Sequence, residues 1–374
     1  MHRRRLLQML AAGTGAIAGC TAGYQGKDAT NGRPPGAVGA VGDVDLPVPA
    51  GELETRLPKD AIAAIDDPAV AEDWSGLDPE GVDDPTLPAD AAVIGVERAG
   101  EARAYPLRVL NWHEIVNDSL GGAIAVTYCV LCGSSVVVER RVAGEPTIFG
   151  VSGQLWRNDL VMYDKATDSR WSQILATAIR GPRTGDRLTI VPSTLTTWGE
   201  WRQTHPETRV LLPPPRSGTV GSRNRTHDYF SEKYDYGEES QLIGYDGQRG
   251  AENDRMLVIG IENGGETRAY PFHVVSADGP IEDTVGGMPV VVAVAPDDTL
   301  VAYDRRIDGR ARSFSAADER HLSAAGSRWE LTTGRAVDGP HEGTRLSRAN
   351  EHPPMFWTGW SAFNPETDVY GDDP

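Results

Sequence analysis

The chain has 374 residues and a net charge of −18, with 54 acidic side chains against 36 lysines and arginines. That balance excludes the basic face that phosphate binding requires, so no nucleic-acid partner is expected. The 42 glycines and 26 prolines favour many short strands and turns over long helices. Lysine is nearly absent: only Lys27, Lys59, Lys165 and Lys233 occur. An acidic, lysine-poor surface fits a salt-adapted, halophilic protein whose self-repulsion the medium screens; a GC-rich coding bias gives the same composition.

Residues 1–20 read MHRRRLLQMLAAGTGAIAGC. Arg3, Arg4 and Arg5 precede a short apolar run, too short to span a bilayer and typical of an export signal of the twin-arginine class. The ending IAGC resembles a lipobox, which makes Cys20 the expected lipidation site. The protein is then expected outside the cell membrane, anchored to its outer face through lipid. Residues 21–49 are small and polar and suit a flexible tether.

From residue 50 the chain reads as two similar halves. VIGVERAGEARAYPLRVL (93–110) returns as VIGIENGGETRAYPFHVV (258–275), an offset of 165 residues (258 − 93). SLGGAIAVTY returns as TVGGMPVVVA, SRW as a second SRW, and HPETRV as NPETDV. Matches in this order indicate an internal duplication. The expected fold is therefore mainly β with a few short helices, in two homologous antiparallel β units. The units span 50–211 and 250–374, joined by a linker over 212–249.

Within each half, short alternating runs are broken by turn signals such as Ala99-Gly100 and Ala143-Gly144. One short helix is expected from Pro106 to Asn117 and another over Thr197–Thr204. Matching LVMYD (160–164) to LVAYD (300–304) lowers the offset to 140. On that reading the second copy lacks about 25 residues (165 − 140), namely SSVVVERRVAGEPTIFGVSGQLWRN.

Residues shared by both copies are first explained by the fold, and residues unique to one copy mark where a site belongs. His113, Cys129 and Cys132 align with Asp278, Val294 and Asp297 at the offset of 165, so they occur only in the first copy. Cys129-Val-Leu-Cys132-Gly133 ends one strand run and begins another. Two thiolates on such a knuckle grip a metal, with glycine supplying the left-handed backbone. A redox Cys-x-x-Cys instead sits at a helix N-terminus, which the following SSVVVERR does not provide. Sulfur with imidazole suits copper or zinc, and His113 is the expected third ligand. Met162 is a conceivable soft fourth ligand, although its place in a strand pattern favours core packing. Trp112 and Trp156, also unique to the first copy, are expected to wall the site.

Other readings stay open. Cys129 and Cys132 could cycle as a thiol-disulfide oxidoreductase, or form a static disulfide in a structural or interaction protein. A Cys129 nucleophile with His113 as base lacks an identified orienting carboxylate, though Glu114 and Asp118 lie near in sequence. Ser152, in Gly150-x-Ser152-Gly153, falls one residue short of a nucleophile elbow.

NWHEIVND, TYCVLCGSS, FGVSGQLWRNDLVMYD, SRWSQ and HPET together resemble the family called domain of unknown function 3179, found in exported bacterial and archaeal proteins. The resemblance runs from about residue 50 to the C-terminus. Members usually carry proline after the first cysteine, where this chain has Val130. The resemblance implies no established activity, so function rests on the residues.

Overall fold

The computed structural model describes residues 44–79, 85–221, 227–230 and 256–371. The expected export signal, with Cys20, and the tether as far as residue 43 lie outside the described residues. The described chain is mainly β with four short α-helices. Six larger sheets of three to five strands stand in a propeller-like arrangement.

After short strands at 54–55, 65–67 and 70–71, the first half forms a hairpin of β1 (Ala92–Arg98) and β2 (Glu101–Pro106). Its turn is Ala99-Gly100, with φ of 53° and 83°. A two-residue loop demands positive φ at both positions because only that twist matches the strands. Pro106 then leads into α1 (Leu107–His113), shorter than the expected 106–117 because Glu114 adopts φ 55° and stops it. β3 (Ile115–Ser119), β4 (Ala123–Cys129) and β5 (Ser134–Glu139) follow as an antiparallel meander. After a small hairpin at 141–146 come β6 (Phe149–Trp156), β7 (Asp159–Asp164) and β8 (Arg170–Ser172), again antiparallel. α2 (Trp198–Thr204) ends where expected and is capped by Thr197, whose Oγ1 accepts the Glu200 N–H at 3.2 Å.

The second half runs through β9 (Leu257–Asn263), β10 (Glu266–Pro271), α3 (Phe272–Asp278), β11 (Ile281–Val285), β12 (Met288–Ala295) and β13 (Thr299–Asp304). It then forms β14 (Ser315–Asp318), β15 (His321–Ala324), β16 (Ser327–Glu330) and α4 (Trp357–Phe363). The same devices recur in each half. Asp118 accepts from Arg103 at 2.6 Å and Tyr105 at 2.8 Å; Asp283 accepts from Arg268 at 2.7 Å and Tyr270 at 2.8 Å. Trp201 lies flat on Gly95 and Trp360 on Gly260; a Cβ at either glycine would sit 2.3 Å from the ring. Each indole N–H donates to a threonine, Thr208 or Thr367, at 2.9 Å.

The structure corrects the expected gap in the second half. β13 does not take the place of β7. It follows β12 directly and leads into the hairpin at 306–311, as β5 leads into the one at 141–146. Arg140 donates to the Thr147 carbonyl at 2.8 Å and Arg305 to the Arg312 carbonyl at 3.0 Å, still at an offset of 165. Only beyond this point does the offset fall, to 158 at Trp171 and Trp329, so 7 residues (165 − 158) are missing rather than 25. The likeness of LVMYD and LVAYD reflects two strands buried along almost their whole length. What the second half lacks is the long tip of the β6–β7 hairpin.

Two boundaries also move. Val44, Leu46 and Val48 fall within the expected tether, yet they are buried against Trp156 and Ile179. Apolar side chains at alternate positions found a face to cover. At the other end, the first residues of the expected linker belong to the first half: Gly218–Thr219 pairs with Ile65–Asp67, and the Val220 N–H reaches the Ala64 carbonyl at 2.7 Å.

Candidate metal centre

β4 ends at Cys129, which pairs with Ser134 at the start of β5, so Val130–Gly133 form the turn between them. Gly133 takes φ 56°, and a Cβ there would lie 2.6 Å from the Phe356 ring. The turn thus needs glycine both for its conformation and for its packing. Both cysteines are free thiols and almost wholly buried.

The third member comes from β7. The β6–β7 hairpin turns through Arg157 and Asn158, with φ of 53° and 65°. This two-residue turn delivers two groups to the thiols. The Asn158 carbonyl accepts from Cys129 Sγ at 3.4 Å and from Cys132 Sγ at 3.1 Å. Asp159 follows, fully buried, and one ligand atom from each of Cys129, Cys132 and Asp159 lies within 4.8 Å of the others. Among the described residues these three can hold a metal ion.

The electrostatics fit a site short of positive charge. Burial pushes the Asp159 carboxyl up to about 7, against hydrogen bonds that favour its ionised form. Those bonds come from Ser172 Oγ at 2.5 Å and the Ile174 N–H at 3.3 Å. The hydrogen bond with Cys129, then burial, raise the Cys132 thiol well above its ordinary range; the charges of Asp159 and Glu114 add to the rise. Glu114 is itself pushed up to about 8 by burial alone.

His113, the expected third ligand, is engaged elsewhere. Its Nδ1 contacts the Ala63 carbonyl at 2.7 Å and its Nε2 the Tyr229 hydroxyl at 2.7 Å. An Nδ1–H donating to the carbonyl leaves Nε2 to accept from the tyrosine. Burial lowers its pKa to about 4, which keeps it neutral. The left-handed Glu114 turns the chain between α1 and β3, so His113 serves the contact with Ala63 and Tyr229 while the thiols meet Asp159.

The two expected wall residues have ring contacts of their own. Trp112 stacks on His227, with centroids 4.1 Å apart. Trp156 meets Phe363 edge to face at 5.3 Å, and its indole donates to Glu52 at 3.2 Å. Met162 packs beside Trp171 in the core that also holds the cysteines. Ser152 donates to the Val161 carbonyl at 2.5 Å beside a bulge in β6, which gives it a structural role.

The cover over the thiols is α4, from the second half. The Phe356 N–H bonds the Cys132 carbonyl at 3.0 Å, and a Cβ on Gly359 would lie 3.0 Å from the Cys132 Cβ. Arg157 fastens the hairpin tip to the end of the helix by donating to the Ala362 carbonyl at 2.9 Å. The centre therefore lies where the two halves meet.

Residues 59–367 match the family described as "Protein of unknown function (DUF3179)", and the chain belongs to that family. No curated protein and no solved structure matches it.

Proposed function

We propose that this DUF3179 protein binds one transition-metal ion through Cys129, Cys132 and Asp159. The observation that carries the reading is the mutual approach of these three ligand atoms, within 4.8 Å, in a buried setting. Two thiolates and a carboxylate put three negative charges around the ion. A divalent ion leaves less uncompensated charge in the interior than a monovalent one. Replacing the expected imidazole by a carboxylate also hardens the ligand set, so zinc is favoured over copper(I). The sealed setting suits an ion that is held rather than one that meets a substrate.

The protein is further proposed to be exported and lipid-anchored at Cys20, on the strength of the arginines and IAGC at its N-terminus. Cys20→Ser is expected to release it from the membrane fraction, and unchanged membrane attachment overturns this. Its two units, 50–211 and 250–374, are proposed to descend from one duplicated ancestor. The shared aspartate and tryptophan–glycine devices support that reading.

Elemental analysis with thiol titration tests the metal reading. The expected result is one zinc per chain, with two thiols becoming reactive only after chelation. A metal-free chain whose Cys129 and Cys132 interconvert between dithiol and disulfide would replace this reading with a thiol oxidoreductase. The free, adjacent thiols keep that alternative specific.

A further inference from the structure

Cys129, Cys132 and Asp159 give the proposed ion three ligands, and a structural zinc site takes four. The β6–β7 hairpin brings one more donor atom to the same place. The Asn158 carbonyl oxygen lies 3.4 Å from Cys129 Sγ and 3.1 Å from Cys132 Sγ. Around a tetrahedral zinc ion, with bonds of about 2.3 Å to sulfur and about 2.1 Å to oxygen, a sulfur–oxygen edge is about 3.6 Å. The carbonyl thus stands within about half an ångström of a ligand's place against both sulfurs.

The turn explains why it points there. Arg157 and Asn158 form a two-residue loop between the paired Trp156 and Asp159, both at positive φ. In such a loop the flanking residues carry the ladder bonds, so the Asn158 carbonyl lies outside the ladder. Asn158 is exposed, whereas Asp159, the next residue, is fully buried. Carbonyl and carboxylate therefore come to the thiols from consecutive residues of one turn.

The protonation change on binding argues the same way. In the metal-free protein both S–H groups donate to this oxygen. Metal binding needs thiolates, so both donors are lost. Two anionic sulfurs then face the lone pairs of a buried carbonyl with no proton between them. An ion that touches the sulfurs alone leaves that oxygen unsatisfied, which is costly in the interior. An ion that touches all three removes the conflict.

We infer that the Asn158 main-chain carbonyl is the fourth ligand, closing the site as two sulfurs and two oxygens with no open position. This rests on the metal reading above. A closed site holds its ion for structure, clamping the β4–β5 turn to the β6–β7 hairpin, and offers no place for a substrate or a reactive water.

The test uses the full chain labelled with carbon-13 at asparagine carbonyls and nitrogen-15 at aspartate amides. Three Asn-Asp linkages then report in the nuclear magnetic resonance spectrum, at 117–118, 158–159 and 253–254. The variant Asn158→Gly, which suits the left-handed turn, assigns the second by its disappearance. Zinc is added, and its uptake is measured beside the carbon shifts. Coordination draws electron density from a carbonyl and moves its carbon downfield, whereas loss of two hydrogen-bond donors without coordination moves it upfield. The expected result is a downfield shift at 158–159 larger than at either other linkage. A shift there that is upfield, absent or no larger than the others, in a chain that holds zinc, overturns the inference and leaves water as the fourth group. A chain that takes up no zinc instead overturns the metal reading itself.

Discussion

The two halves of this protein solve the same folding problem and differ where one of them holds a cluster of ionisable groups. Each has a β-hairpin with a tryptophan laid on its glycine, and each fixes the following strand with an aspartate held by arginine and tyrosine. The first half adds Glu114, Cys129 and Cys132, and a longer β6–β7 hairpin that brings Asp159. The second has Gly279, Val294 and Asp297, and its β14–β15 hairpin has shorter strands. Asp297 has a plainly structural role, since it accepts from Thr197, the cap of α2, at 2.7 Å. The contrast separates what the scaffold requires from what it was free to spend on chemistry.

The sharpest way to break the comparison is to make the first half resemble the second. Cys129→Val with Cys132→Asp is expected to take zinc from one ion per chain to none, with the β-rich circular dichroism spectrum retained. Persisting stoichiometric zinc would move the centre elsewhere. The shared devices predict the converse. Trp201→Ala and Trp360→Ala are each expected to cost about 3–5 kcal/mol by loss of a buried indole, measured by denaturant unfolding. A large cost in only one half would show that the devices are not equivalent.

Acidity gives the next, smaller effect. Asp159 and Glu114 have pKa values raised to about 7 and about 8 in the fold. Their neutral forms stabilise the metal-free protein fully below about pH 4, their ordinary range, and this contribution is lost as pH rises through 7 and 8. His113, lowered to about 4, acts in the opposite sense: its contribution is present above about pH 6.5 and fades as pH falls towards 4. Metal-free protein is therefore expected to melt at lower temperature at pH 9 than at pH 6. Zinc, which needs ionised ligands, should reduce or reverse that fall. A metal-free melting profile flat across this range would contradict the assigned burial.

The smallest expected effect is no gain at all. Val294→Cys with Asp297→Cys copies the thiol pair into the second half, where no Asp159 awaits it. Zinc should stay at one ion per chain by elemental analysis. A second ion would mean that the cysteines alone make the site.

Much of the scaffold was legible in the sequence because it rests on local rules. Ala99-Gly100 marks its turn, Pro106 opens α1, and His205-Pro206 ends α2. The cysteine pair was legible for the same reason. Asp159 was harder: it belongs to another hairpin and reaches the thiols only through tertiary packing. Nothing in the spacing says which strand ends the Arg157-Asn158 turn will face. His113 misled because it adjoins the right strand, while a single left-handed residue beside it redirects the chain. LVAYD misled because two continuously buried strands draw on the same apolar residues. The pairing of strands, not their composition, assigns them to their places.

The crossing of α4 over the Cys129–Cys132 turn has a consequence for the life of the molecule. Synthesis proceeds from the N-terminus, so the thiols and Asp159 exist well before residues 357–363 are made. Until that late segment arrives, the pocket is a bowl without its cover. On the proposed metal reading, an ion would enter a nascent chain with ease, whereas exchange in the finished protein would require α4 to lift. Rates of loading and release should therefore report on the hinging of α4, and a chain truncated before Trp357 should acquire and surrender its ion quickly.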